Sequence, residues 1–291
     1  MLQFLANGFC KGAVIALVAL GFGLIYTTTR VFHIAHAAIY VLGAYALYTA
    51  MIWFKLPLPV AVGFGILVTI IAGMLVEWSV YQPLAKRSAS AAVVLISSLG
   101  VQIVFENLIA LGFGNQTQIL RAGVERTFSF GSIILTQVQI AQAIVGIVLT
   151  GAFWLFLKHS RTGQLCRAIS DDETLASVLG VRVNRIRIFV FAAGSAFAGI
   201  GSMLVALDVG TAPHVGFAAV LTAAVACIIG GLRNFLAPAA GGVLLGLTQS
   251  LVVWRTSAKW EESVTFGILI LFLLLRRQGL FGVVRRAEET A

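Results

Sequence analysis

The sequence predicts an all-α polytopic membrane protein, and three observations carry that expectation. Of its 291 residues, 59% are hydrophobic and only 11% charged, with a mean hydropathy of +0.99. Apolar runs of about 18 or more residues recur from end to end, each long enough to cross a hydrocarbon layer. No polar stretch is long enough to build a separate soluble domain, so residues 1–291 read as a single transmembrane domain.

About eight to nine spanning helices are expected, some interrupted or re-entrant. The first runs from about Leu5 to Tyr26; it lacks a small-residue cleavage site and reads as a retained helix rather than a signal peptide. The second covers about Ile34 to Trp53, and a break at Lys55–Pro59 leads to the third, about Val60 to Val80. A basic turn at Lys86 and Arg87 precedes the fourth, about Ala91 to Phe113. A polar loop over 114–139 comes before the fifth, about Ile140 to Leu157, and a polar island from Lys158 to Arg187 before the sixth, about Ile188 to Leu207. Two closely linked stretches come after Pro213: Phe217 to Ile229, short and flanked by glycine, hence a candidate re-entrant segment, and Leu236 to Trp254. The last span is about Val264 to Leu275.

Charge sets the expected orientation, because Lys and Arg collect in cytoplasmic loops. Arg30, Lys86, Arg87, the island, Arg233 and the tail residues Arg276, Arg277, Arg285 and Arg286 all fall inside if the chain crosses nine times with its N-terminus outside and its C-terminus in the cytoplasm. Arg121 and Arg126, beside Glu125, are then exceptions in an external loop. The net charge of +9 thus reads as topology and not as affinity for nucleic acid. Cys10, Cys166 and Cys227 have no metal or redox spacing.

An internal echo stands out. His33-Ile-Ala-His-Ala-Ala-Ile39 aligns with His214-Val-Gly-Phe-Ala-Ala-Val220, each opening a small-residue helix. With five crossings between them the two point in opposite directions, as in an inverted repeat whose interrupted helices meet where substrate passes. The expected substrate path is therefore His33, His36, Ala37, Ala38 and Gly43 from the first copy, and His214, Gly216, Phe217 and Ala219 from the second. Glu106 joins them, because an acid inside a span is a functional candidate. The bland reading is that the histidines bond carbonyls freed at helix breaks and the small residues only allow close packing. Glu77, near a span end, is expected to snorkel or pair locally.

Within the island, Ser170-Asp-Asp-Glu173 reads as a capping box, with Asp171 and Asp172 suiting the positive helix start. Leu175, Val178 and Leu179 share one face of a helix of about nine residues, and Gly180 is placed to end it. Such a helix either lies on lipid headgroups or plugs a cleft in a partner protein; its acidic start disfavours anionic lipid. No catalytic set appears. There is no P-loop, so energy for uphill transport must come from elsewhere. His33 and His36 have no third metal ligand nearby.

The stretch from Arg161 to Leu204 resembles the cytoplasmic loop and following helix of branched-chain amino-acid ABC transporter permeases, the shorter of the two types. The matching features are Arg161 and Gly163, Arg167-Ala168, the acids Asp171 to Glu173, Ala176 to Val181, and Phe191 to Gly199. Ala19 to Tyr26, Phe32 to His36 with Leu42-Gly-Ala-Tyr45, and Arg276 to Gly282 are similar to further family motifs, in order. Ala37 and Ala38 depart from it, as do Arg233 and Asn234 in a glycine-rich turn.

The resemblance implies an importer subunit for branched-chain or other small hydrophobic amino acids, in a bacterial or archaeal inner membrane. It implies a second related permease, two cytoplasmic ATPases that use ATP and Mg, and an extracytoplasmic binding protein; this chain itself is expected to bind no cofactor. The island becomes the ATPase-coupling loop, with Ser170, Asp171, Asp172, Glu173, Leu175, Val178, Leu179 and Gly180 as contacts, driving alternating access. Two readings stay open beside it: a permease of the same family for urea, short amides or aromatic acids, and an ion-coupled secondary transporter.

Overall fold

The computed structural model describes residues 1–120, 126–232, 234–275 and 279–281. Arg121, Glu125, Arg233, Arg276, Arg277, Arg285 and Arg286 lie outside the described residues. Seven helices among the described residues are long and apolar enough to cross a membrane. They are α1 (Leu2–Thr29), α2 (His36–Tyr48) with a π-helical continuation Thr49–Trp53, and α3 (Leu58–Val76), which runs through a second π segment, Glu77–Tyr81, into α4 (Gln82–Lys86). Then come α5 (Ala91–Phe113), α6 (Gln137–His159), α9 (Val183–Val209) and α11 (Ala237–Arg255). Between α6 and α9 lie α7 (Arg161–Asp171) and α8 (Glu173–Val178). One shorter apolar helix, α10 (Val215–Gly230), lies between α9 and α11, and α12 (Glu261–Leu275) follows α11.

The central helix is α1, most of whose length is buried. In a bilayer, lipid is as apolar as leucine, so helices associate through close packing at small residues. That is how α1 and α11 meet. They run antiparallel, Gly8 lying beside Ser250 and Gly23 beside Pro238, and a Cβ on Gly246 would collide with the Gly12 backbone. Opposite this seam α9 crosses α1 with Gly194 against the Gly21 carbonyl, and α6 runs with Gly146 against Ala13.

The bundle has two ends. One holds Arg30, the island and Leu232, whose carbonyl accepts from Thr27 Oγ1. The amides of Leu280 and Phe281 donate there to Ile229 and Gly230, so the C-terminal described residues share the island's end. The far end holds the start of α1, where Gln3 exchanges two 2.7 Å hydrogen bonds with the Ile134 backbone. The helix order therefore carries the chain from one end to the other an odd number of times.

The far-end loop adds what helical patterning does not foresee: an antiparallel hairpin of β1 (Thr127–Phe130) and β2 (Ile133–Thr136), turning at Gly131 with φ 63°. A capping box does occur in the chain, but at α6. Thr136 Oγ1 accepts from the Gln139 amide while Gln139 Oε1 accepts from the Thr136 amide, both at 3.1 Å.

Candidate functional site

The island folds as a helical elbow. Ser160 caps α7, its hydroxyl accepting from the Gly163 amide at 2.9 Å. Cys166, Ile169 and Ala176 point into the bundle and are buried, which seats the elbow against the core. Burial pushes the Cys166 thiol up to about 11, so it stays protonated.

The expected box at Ser170 is corrected. Ser170 lies inside the last turn of α7, and the cap of α8 is Asp172, whose Oδ1 accepts from the Leu175 amide at 2.9 Å. The reason is that α7, started by Ser160, continues through Asp171, and the chain breaks only at Asp172, with φ −153° and ψ 106°. Consequently α8 spans six residues instead of about nine. Gly180 ends it as expected: φ is +88°, its amide donates to the Ser177 carbonyl and that of Val181 to Ala176, a paired left-handed cap. Leu175, Val178 and Leu179 stand 56%, 78% and 75% exposed. Apolar side chains this open on a capped turn are a candidate contact surface.

Directly after the elbow, α9 begins with Arg187 in its opening turns. Its Nε donates to Glu77 Oε1 at 2.7 Å and its Nη2 to Oε2 at 3.4 Å. Both residues are buried, at 7% and 1% exposure. Glu77 therefore neither snorkels nor pairs locally, as its sequence neighbourhood suggests; its partner is 110 positions away. One turn on, the π segment of α3 aims Tyr81 at the turn between α1 and α2. Tyr81 Oη sits 2.7 Å from His33 Nδ1 and 2.6 Å from Ser98 Oγ, and Ser98 Oγ accepts from the Ala35 amide at 2.9 Å. The chain of contacts thus runs from the elbow to the start of α2. Glu77, Arg187, Tyr81 and Ser98 were not foreseen as a set, although a buried acid in an apolar run was a signal.

The two echo segments do come together. The start of α2 lies inside the bundle, His36 packing edge-on against Phe22 and His33. The start of α10 enters from the far end, after Thr211 has paired with Gln118. The helices run oppositely, and a Cβ on Gly216 would strike the Ala37 carbonyl oxygen. Ala37, Ala38 and Gly43 are enclosed, Gly43 packing on Gly199 and Ser202. His33 Nε2 and both His36 ring nitrogens are buried without a hydrogen-bond partner among the described residues, the Val18 backbone lying alongside His36. Phe217 and Ala219 instead border open space. His214 stands exposed just before α10 and makes no side-chain capping bond, whereas His33 and His36 are fully buried. Glu106 is half-buried on α5, accepting from Gln102 Nε2 at 3.0 Å, and does not join this junction.

Beyond the junction, at the far end, a cavity of about 540 Å³ opens between α1, α6, α9, α10 and the start of α12. Asn7, Lys11, Gln142 and Asp208 give it polar groups, and Val14, Val18, Tyr40 and Ala219 an apolar floor.

Residues 4–274 match the family described as the branched-chain amino acid transport system permease component. The chain is 29% identical to the high-affinity branched-chain amino acid transport system permease protein BraD of Pseudomonas aeruginosa, over 97% of this chain and 95% of that one. The identity and coverage are the same for the permease protein LivH of Escherichia coli strain K12. It is 25% identical to the galactose/methyl galactoside import permease protein MglC of Haemophilus influenzae, over 75% and 66% of the two chains. Among solved structures, PsaBC from Streptococcus pneumoniae in complex with Fab is similar in fold, with a TM-score of 0.53 and 17% identity over 95% of this chain and 93% of that one.

Proposed function

The chain belongs to the branched-chain amino acid transport permease family, and on that premise we propose that it is the membrane-spanning subunit of an ATP-driven importer for branched-chain or other small hydrophobic amino acids. The observation that carries the reading is the elbow: exposed Leu175, Val178 and Leu179 stand on a capped turn whose next helix is tied by Arg187 to the interior. A partner ATPase that grips this surface moves the start of α9. Glu77 moves with Arg187, the π segment with Glu77, and Tyr81 carries the displacement to His33 and the start of α2. The junction of α2 with α10 then opens to one end or the other, which is alternating access.

In this mechanism ATP and Mg are used by two partner ATPases, and this chain supplies no catalytic group. A second related permease completes the path, an extracytoplasmic binding protein delivers substrate to the far end, and the island faces the cytoplasm of a bacterial or archaeal cell across its inner membrane. His36, Ala37, Gly216, Phe217 and Ala219 flank the route.

The test is the double substitution Leu175→Asp, Leu179→Asp in the assembled transporter. ATP-dependent uptake of radiolabelled L-leucine into vesicles should vanish while the permease remains in the membrane. Unchanged uptake removes the coupling role.

A further inference from the structure

We propose that the far-end cavity binds a free aliphatic α-amino acid as its zwitterion, with Asp208 receiving the ammonium group, Lys11 the carboxylate, and Val14, Val18 and Ala219 the side chain. The proposal rests on the amino-acid transport reading and assigns it a site on this chain. The volume of about 540 Å³ is of small-molecule size. Its chemistry is divided in the way such a ligand requires. The outer rim is polar and charged. The lining also holds aliphatic Val14, Val18 and Val205, Ala219 in the first turns of α10, Tyr40 of α2, and the buried amides of Gln142 and Gln249.

The charges are not used up within the protein. Asp208 accepts only from the neutral Gln142 amide, at 3.2 Å, and no Lys or Arg among the described residues pairs with it. Lys11 is bonded to Glu261 at 2.6 Å but is 42% exposed in its side chain, and an ammonium has three protons to donate. Asp208, Glu261 and Glu262 outnumber Lys11 around the rim, so the cavity favours a ligand that brings a positive group. A fatty acid or lipid tail could fill the apolar floor but would leave Asp208 without a cation. Because α2 and α10 both contribute to the floor, a ligand here rests on the two helix starts whose junction the transport reading opens.

The experiment uses the full chain in nanodiscs with Cys10→Ala and Ala219→Cys, measuring the rate of maleimide labelling at position 219, with calorimetric titration of L-leucine alongside. L-Leucine should slow labelling and release or absorb heat; isocaproate, which lacks only the amine, should do neither. Asp208→Asn should weaken leucine protection about tenfold or more, the loss of a charged hydrogen bond, and Asp208→Glu should restore much of it. Equal protection by isocaproate, or leucine protection that survives Asp208→Asn, overturns the proposal. If the assembled transporter imports leucine while the chain shows neither protection nor heat, this site is wrong and the transport reading stands. If leucine protects but the assembled transporter does not import it, the site stands and the transport reading fails.

Discussion

Arg187 and Glu77 meet side by side in the bundle interior, two hydrogen bonds joining the opening turns of α9 to a π segment of a helix 110 positions earlier. A π turn inserts one extra residue and rotates the helical turns beyond it. Glu77 and Tyr81, four residues apart at the two ends of this segment, share one face, Glu77 reaching Arg187 and Tyr81 reaching His33. The pair is a buried ion pair between two distant helices, and burial sets its energetics.

Removing one member strands the other charge. Arg187→Met or Glu77→Gln alone should each destabilise the protein by about 3–5 kcal/mol. The double substitution Glu77→Gln, Arg187→Met should be milder than either, because no charge is left unpaired. Thermal unfolding in detergent measures all three, and additive losses would contradict the pairing.

Cap identity separates two neighbours in the island. Asp172→Ala should cost the α8 turn about 1 kcal/mol, raising amide exchange at 175–178 about fivefold. Ser170→Ala, inside α7, should leave that exchange unchanged. Hydrogen exchange resolved by mass spectrometry distinguishes them.

Tryptophan at the two echo segments should fail in different ways. Ala219 borders the cavity, so Ala219→Trp should assemble and block uptake. Ala38 is enclosed, so Ala38→Trp overpacks the interior at a cost of about 1–3 kcal/mol or more and should reduce the amount of folded permease. Size-exclusion profiles and uptake, read together, check both. Normal uptake by Ala219→Trp would remove that residue from the route.

Cys166 should be a silent thiol. With its pKa pushed up to about 11 by burial, it is protonated throughout the neutral range, and thiolate reactivity appears only as pH climbs toward that value. At pH 8 the thiolate fraction is about one thousandth. Maleimide should modify Cys166 only after denaturation; rapid labelling of the native protein would show that α7 lifts off the bundle.

Sidedness is tested with an impermeant thiol reagent on intact cells. Gln116→Cys, in the far-end loop, should label, and Lys86→Cys, at the island's end, should not. The reverse pattern inverts the proposed orientation.

What the sequence determined by itself was local. Hydropathy alone located the spans, because an apolar run must be helical to satisfy its own backbone in lipid. The short stretch before Ile229 and the break ahead of His36 were legible as interruptions, and Gly180 as a helix stop, since each depends on neighbouring residues. Even the echo of His33–Ile39 in His214–Val220 was readable, although the direct contact of Gly216 with Ala37 was not. Tertiary structure decided the rest. Ser170 lost the cap to Asp172 because α7, seated by Cys166 and Ile169, extended further along the chain. Arg187 was found for Glu77, and Tyr81 and Ser98 for His33, by packing of helices distant in the chain. Asp208 and Lys11 came to one cavity for the same reason. Partners of this kind leave no trace in spacing or periodicity, because what selects them is which helix faces are pressed together.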